Sequence, residues 1–302
     1  MSISIKELTK TYGNQAAVDA ISFDAHPGII TGFLGPNGAG KSTTMKMLTG
    51  YVRPTSGQAL ICDLNVLDEP IKVKRMIGYL PEHNPLYLDM YVREFLGFIA
   101  SAHGLSNAKN KIEDVIQLVG LDREKGKRIG ALSKGYRQRV GMAKALIHDP
   151  KVLILDEPTT GLDPNQILEI RQVIKTISKD KTVILSTHIM QEVESLCDQV
   201  VIIDKGKIVA NDAIGNLKIG VEQGQGYLVT FEGSIDDSAF VNAGLELTNQ
   251  GEHTFLIQSD DADLRAKILK VTSDNDFPLL SMSKAQDSLE DVFHQLTQKK
   301  TP

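Results

Sequence analysis

The chain has 302 residues, of which 41% are hydrophobic, enough for one large domain or two ordinary ones with real cores. A net charge of −5 without a long Lys/Arg block, no Trp and 5% aromatics argue against a nucleic-acid partner and against a base-stacking platform. Cys62 and Cys197 stand far apart with no CxxC pairing, which suits a reducing compartment and buried-thiol roles.

The opening "MSISIKELTKTYG" alternates apolar and polar residues as a strand does. It has neither the basic start nor the apolar block of a signal peptide, and no apolar run is long enough to cross a bilayer. The expectation is a cytoplasmic chain that reaches a membrane only through a partner. Up to about Lys218, the apolar stretches "GIITGFL", "VLILD", "TVILS" and "QVVIID" alternate with helical patterns. Near-continuous apolar strands predict a mainly parallel sheet covered on both faces, hence an α/β fold over residues 1–218.

Within it, Val92, Phe95, Leu96 and Ile99, then Ile112, Val115, Ile116 and Val119, recur at i, i+3, i+4, i+7, which predicts a helical insert over about 83–148. "GVEQGQG" reads as a linker. Residues 219–302 then predict a small C-terminal α+β domain. Its elements are a strand at "YLVTF", a polar helix, a hairpin turning at "NQGE", a helix at "DADLRAKILKVT" and a strand at "PLLSM". A last helix carries Leu289, Val292, Phe293 and Leu296 on one stripe.

The chemistry concentrates in four places. "GPNGAGKST" spells G-x-x-x-x-G-K-[ST] from Gly35 to Ser42, between an apolar strand and a helical pattern. There the backbone N–H groups close on phosphates, Lys41 supplies a point charge and Ser42 offers a hydroxyl to Mg2+. Asp156 and Glu157 stand where "KVLILDEP" ends; Asp156 suits a Mg2+ shell and Glu157 a general base toward water. Read alone, two acids at a strand end are as consistent with a solvated pair. His188 follows the strand "TVILS" and precedes a helix, so it is either a helix-start residue or a group aimed at a terminal phosphate. Finally, "LSKGYRQRVGMAKAL" starts a helix on Ser133 and Gly135, whose free N–H groups suit an anion although no P-loop lysine accompanies them.

In this order the motifs resemble one family, the ATP-binding subunits of ABC transporters, over about residues 1–218. Tyr12 matches the adenine-stacking aromatic, and Gly35, Pro36, Asn37, Gly38, Ala39, Gly40, Lys41, Ser42 and Thr43 match Walker A. "GYLPEHN" matches the Q-loop, "LSKGYRQR" the signature, "VLILDEP" Walker B, "TGLD" the D-loop and "STH" the H-loop. The resemblance implies ATP sandwiched between two such subunits, with the Ser133 and Gly135 of one facing the Walker A of the other. It implies Mg2+ held by Ser42, Glu82 and Asp156, hydrolysis through Glu157 and His188, and integral membrane permease subunits as partners. Glu82 stands where the family usually has Gln, and Lys134 and Tyr136 stand where Gly and Gln are usual. A carboxylate oxygen still ligates Mg2+.

These variants, with "SLEDVFHQLT", resemble the drug, polysaccharide and lipid exporters, and "GYLPEHNPLYLDMYVREFL" is similar to gliding-motility ATP-binding subunits. A soluble ABC-type ATPase on a non-transport partner and a non-hydrolysing ATP-gated scaffold remain the alternatives. Of the apolar residues after Glu82 (Pro85, Leu86, Tyr87, Leu88 and Met90), most are expected to pack inside the insert and a few to receive a helix of the membrane partner.

Overall fold

The structure, a computed structural model, describes residues 2–219, 225–259, 263–284 and 293. Most of the expected linker and, apart from Phe293, the expected last helix lie outside the described residues. The chain divides into two compact units with the boundary between Ile214 and Gly215.

In the first unit β1 (Ile3–Tyr12) and β2 (Gln15–Ala25) pair antiparallel, and β3 (Ile30–Leu34) runs through a loop into α1 (Lys41–Leu48). Next come β4 (Ser56–Ile61), β5 (Leu64–Asn65), α2 (Pro70–Met76), β6 (Ile77–Leu80), α3 (Val92–Ala102), α4 (Ala108–Leu118) and α5 (Lys134–Leu146). The unit closes with β7 (Val152–Asp156), α6 (Pro164–Ser178), β8 (Thr182–Thr187), α7 (Met190–Leu196), β9 (Gln199–Asp204) and β10 (Lys207–Ala213). α8 (Ile214–Ile219) crosses the boundary.

The main sheet has the order β10-β9-β3-β8-β7-β6, parallel throughout except for β10, which runs antiparallel to β9. Each residue of β3, β7 and β8 is buried. Both faces of these strands are covered, which is why the apolar runs are continuous rather than alternating. Leu153, Leu155, Val183 and Leu185 point into one core with Phe95, Leu96, Val115, Ile116 and Ile174 from the helices. Ile154, Ile184, Val201 and Phe33 point the other way, onto Met45, Met47 and Leu48 of α1 and onto Ile3, Ile5 and Phe23 of a second sheet, β2-β1-β4-β5.

The expected insert contains α3 and α4 with Val92, Phe95, Leu96, Val115, Ile116 and Val119 buried. α5 lies against the sheet so closely that a Cβ at Gly78 of β6 would stand 2.2 Å from the Ala145 carbonyl oxygen. Its first turn is capped by Ser133, whose Oγ accepts from the Tyr136 N–H at 3.5 Å. Cys62 and Cys197 are half-buried, and Cys197 packs against the core with its Sγ beneath Gly32. Cys62 sits in a turn at φ 48, and burial pushes the Cys197 thiol up.

The second unit comprises β11 (Gln225–Phe231), α9 (Ser238–Asn242), β12 (Glu246–Gly251), β13 (Thr254–Ser259), α10 (Leu264–Asp274) and β14 (Leu279–Lys284). Its antiparallel sheet has the order β12-β13-β11-β14 around Val229, Phe231, Phe240, Phe255 and Ile257. The succession β-α-β-β-α-β is the ferredoxin-like arrangement. The hairpin turns two residues later than "NQGE" suggests. Gly251 pairs with Thr254, so Glu252 and His253 form the turn, with His253 at φ 59.

Candidate active site

The loop between β3 and α1 is shaped by what touches it. A Cβ at Gly35 would stand 2.3 Å from the Ile203 carbonyl oxygen, so the loop can leave the sheet there only without a side chain. Gly40, the N-cap of α1, has φ 111, and a Cβ there would meet the Ala17 carbonyl at 2.5 Å. The loop therefore delivers the N-terminus of α1, with its unpaired N–H groups and positive dipole end, into a cavity of ≈ 440 Å3. Asn37, Gly38, Gly40, Lys41, Ser42 and Thr43 line that cavity with Ala17, Glu82, Glu157, Thr160 and His188. Lys41 is 6% exposed and donates to the carbonyls of Gly35 at 2.8 Å and Pro36 at 3.2 Å. Pro36 is exposed, whereas Ala39 is buried and its carbonyl accepts from the Gly206 N–H at 3.0 Å.

Asp156 and Glu157 touch this cradle, and Glu82 lines the same cavity. Asp156, at the end of β7, accepts from Ser42 Oγ at 3.1 Å and from Ser186 Oγ at 2.5 Å. Burial holds its carboxyl above the ordinary 3.8, the two serines pull it down, and the nearby Glu82 and Glu157 push it up again. Glu157 is 7% exposed and lies 3.5 Å from Lys41 Nζ. Its backbone takes φ 51, an uncommon left-handed conformation for a residue with a side chain, fixed by N–H bonds to Ser186 O at 3.1 Å and Ser186 Oγ at 3.2 Å. Its Oε2 accepts from Thr160 Oγ1 at 2.9 Å and lies 2.9 Å from His188 Nδ1. The Ser42 hydroxyl, the Asp156 carboxylate and the exposed Glu82 carboxylate are hard oxygen donors beside an excess of negative charge. This donor set fits Mg2+.

The structure thus brings together the P-loop, Glu82, Asp156, Glu157 and His188, which the sequence scatters over more than half its length. It does not bring the other expected residues to this cavity. Ser133 is exposed at the start of α5, and Gly135 is buried beneath Gln166, whose Oε1 would stand 2.2 Å from an added Cβ. Tyr12 is 52% exposed with Lys10 Nζ 5.0 Å from its ring centroid. Ser186 and Thr160 escaped sequence reasoning. Their signal was adjacency, in "STH" and "EPTTG", to residues already singled out. Of the apolar residues after Glu82, Leu86 and Met90 pack onto the core. Tyr87 and Leu88 are exposed, Tyr87 resting edge-on against Phe95 and Phe98.

A glycine-built cradle between a parallel strand and a helix, with one strand-end carboxylate on its hydroxyl and another paired to a histidine, defines a P-loop nucleotide-binding core. Comparison with known proteins narrows this class. The ABC transporter profile matches residues 18–160. The chain is similar to the bacitracin transport ATP-binding protein BcrA of Bacillus licheniformis, 38% identical over 307 residues, covering 98% of each chain. It is also similar to the Nod factor export ATP-binding protein I of Ralstonia nicotianae, 33% identical over 98% of this chain and 93% of that one. A solved structure of an ATP-binding subunit of an ABC transporter superposes with a TM-score of 0.67 at 30% identity, over 73% of this chain and 93% of its own. The chain belongs to the ABC transporter family and has the P-loop ABC ATPase fold.

Proposed function

We propose that the chain binds and hydrolyses ATP as the nucleotide-binding subunit of an exporter, working in pairs on separate membrane permease subunits. The observation that carries this reading is the Glu157 carboxylate, buried, paired to His188 and opening onto the cavity that Lys41 and Ser42 line. In it, the N–H groups of residues 37–43 and Lys41 hold the phosphates, and Tyr12 stacks on the adenine. Ser42, Asp156 and Glu82 would hold Mg2+, which supplies charge neutralisation at the phosphate oxygens. Glu157 takes the proton of the attacking water, while His188 holds that carboxylate and reaches toward the terminal phosphate.

The pairing is proposed because Ser133 and Gly135 form a helix start outside the cavity of their own chain, a second and incomplete cradle that a second copy's bound phosphate would fit. Residues 1–218 then serve as the ATP-binding domain and 219–302 as an accessory domain. No helix among the described residues is long and apolar enough to cross a membrane. The exposed Pro85, Tyr87 and Leu88 beside the cavity-lining Glu82 support a reading in which they receive a helix of the permease. On this reading the subunit works on the inner face of the cell membrane. The export name of the Ralstonia nicotianae relative supports export over import. A gliding-motility exporter is the narrower reading, carried by "GYLPEHNPLYLDMYVREFL".

Mixed dimers test the pairing and the turnover together. With Lys41→Ala on one subunit and Ser133→Arg on the other, both lesions fall in one composite site and ATP turnover survives at the other. With both on one subunit, each site carries a lesion and turnover collapses. Equal activity in the two arrangements refutes the shared site, and absence of turnover in the unmutated dimer refutes the enzyme.

A further inference from the structure

Glu192, on α7, is 1% exposed, and both its carboxylate oxygens are engaged. Thr159 Oγ1 donates to Oε1 at 2.5 Å and Thr187 Oγ1 donates to Oε2 at 2.6 Å. Enclosing a carboxylate is costly unless its hydrogen bonds are made, and hydroxyl donors to a charged acceptor are among the strong ones. The two threonines belong to different segments. Thr159 lies in the turn after β7 and Thr187 ends β8.

Each threonine is chain neighbour to a group that holds Glu157: Thr160 donates to Glu157 Oε2 at 2.9 Å, and His188 Nδ1 lies 2.9 Å from the same oxygen. The result is a closed ring, from Glu192 through Thr159 and Thr160 to Glu157 and back through His188 and Thr187. Thr187 is itself fixed, its Oγ1 accepting from the Ile189 N–H at 3.1 Å and its carbonyl from the Gly35 N–H at 3.4 Å. Glu192 does not line the cavity.

We infer that Glu192 is a positioning residue that clamps the two segments carrying Glu157 and His188, and so sets where the Glu157 carboxylate stands. The inference rests on the hydrolytic reading above. A displacement of about 1 Å in a reacting group costs up to roughly 100-fold in rate. Glu192→Leu fills the space without accepting either hydroxyl. Glu192→Gln keeps one acceptor and offers an N–H to the other threonine.

The experiment measures kcat, KM and ATP affinity for the full chain and these variants, with the His188 ring resonances followed by NMR without nucleotide. Glu192→Leu is expected to lower kcat roughly 10- to 100-fold while KM and affinity stay within about threefold. Glu192→Gln should restore most of the rate, and the His188 resonances should move in Glu192→Leu as they do in Glu157→Gln. If Glu192→Leu fails to fold, Thr159→Val and Thr187→Val carry the same expectation one hydroxyl at a time. Unchanged kcat in a folded variant overturns the inference. So does a loss of ATP affinity and thermal stability in step with kcat, which would make Glu192 only a brace. If the unmutated chain releases no phosphate, the hydrolytic reading fails, and the His188 resonances still decide the clamp: moved, it stands; unmoved, it falls.

Discussion

Lys41→Ala removes a buried ammonium that donates to Gly35 O at 2.8 Å and Pro36 O at 3.2 Å and stands 3.5 Å from Glu157 Oε1. Truncating one partner of a buried charged hydrogen bond typically costs about 2–5 kcal/mol of binding. Gly35 O, Pro36 O and Glu157 Oε1 give this lysine three oxygen neighbours within its own chain, so a phosphate exchanges partners with them instead of meeting a bare charge. The loss therefore belongs in the lower part of the range, at about 2–3 kcal/mol, which weakens ATP affinity about 30- to 150-fold. Titration calorimetry on the purified chain reads this directly, with the melting temperature as a control for folding. Affinity within about threefold of the unmutated protein, in a folded variant, would refute the assignment of this loop as the phosphate cradle.

Two further outcomes follow from titratable groups. Asp156 is held above its ordinary 3.8, chiefly by burial, so the folded chain binds its proton more tightly than the unfolded one and ionising it costs stability as pH rises past that value. Asp156→Asn should therefore raise the melting temperature at pH 7, a gain that shrinks toward pH 4, while lowering Mg2+-dependent turnover on the order of 100-fold; a lowered melting temperature at pH 7 would contradict this. His148 is stacked on His103 at 4.0 Å, and burial, then His103, depress its pKa from 6.5 to about 4. Below pH 6.5 the unfolded chain takes up a proton that the folded one refuses, so stability should fall from pH 6.5 toward 4. His148→Gln, which keeps an N–H for the Ile77 carbonyl, should flatten that fall in melting curves measured against pH.

The cradle was legible because its residues are consecutive. Gly35 to Ser42 carry their geometry within one loop, and the buried strands before Gly35, Asp156 and His188 announce themselves as apolar runs. The Ser186–Asp156 and Thr159–Glu192 bonds were not legible, because they join residues 30 and 33 apart that only the pairing of β7 with β8 brings side by side. Leu86 and Leu88 look alike in sequence, yet one packs on the core and the other is 48% exposed, since the segment after Glu82 is held by distant backbone, with the Leu88 carbonyl accepting from the Gly130 N–H at 2.8 Å and the Met90 carbonyl from the Ile129 N–H at 2.9 Å, and not by local pattern. The hairpin turn shifted from "NQGE" because cross-strand pairing keeps Asn249 and Gly251 in the strand and leaves the left-handed position to His253.

Glu157→Gln tests the central claim most directly, because the amide preserves shape and hydrogen bonding to water but cannot accept the proton. Phosphate release and ATP affinity are measured side by side on the same preparation. The account predicts ATP affinity within about threefold of the unmutated chain and phosphate release slower by roughly 100- to 10,000-fold. Release within a few-fold of the unmutated rate would contradict it and remove Glu157 as the base.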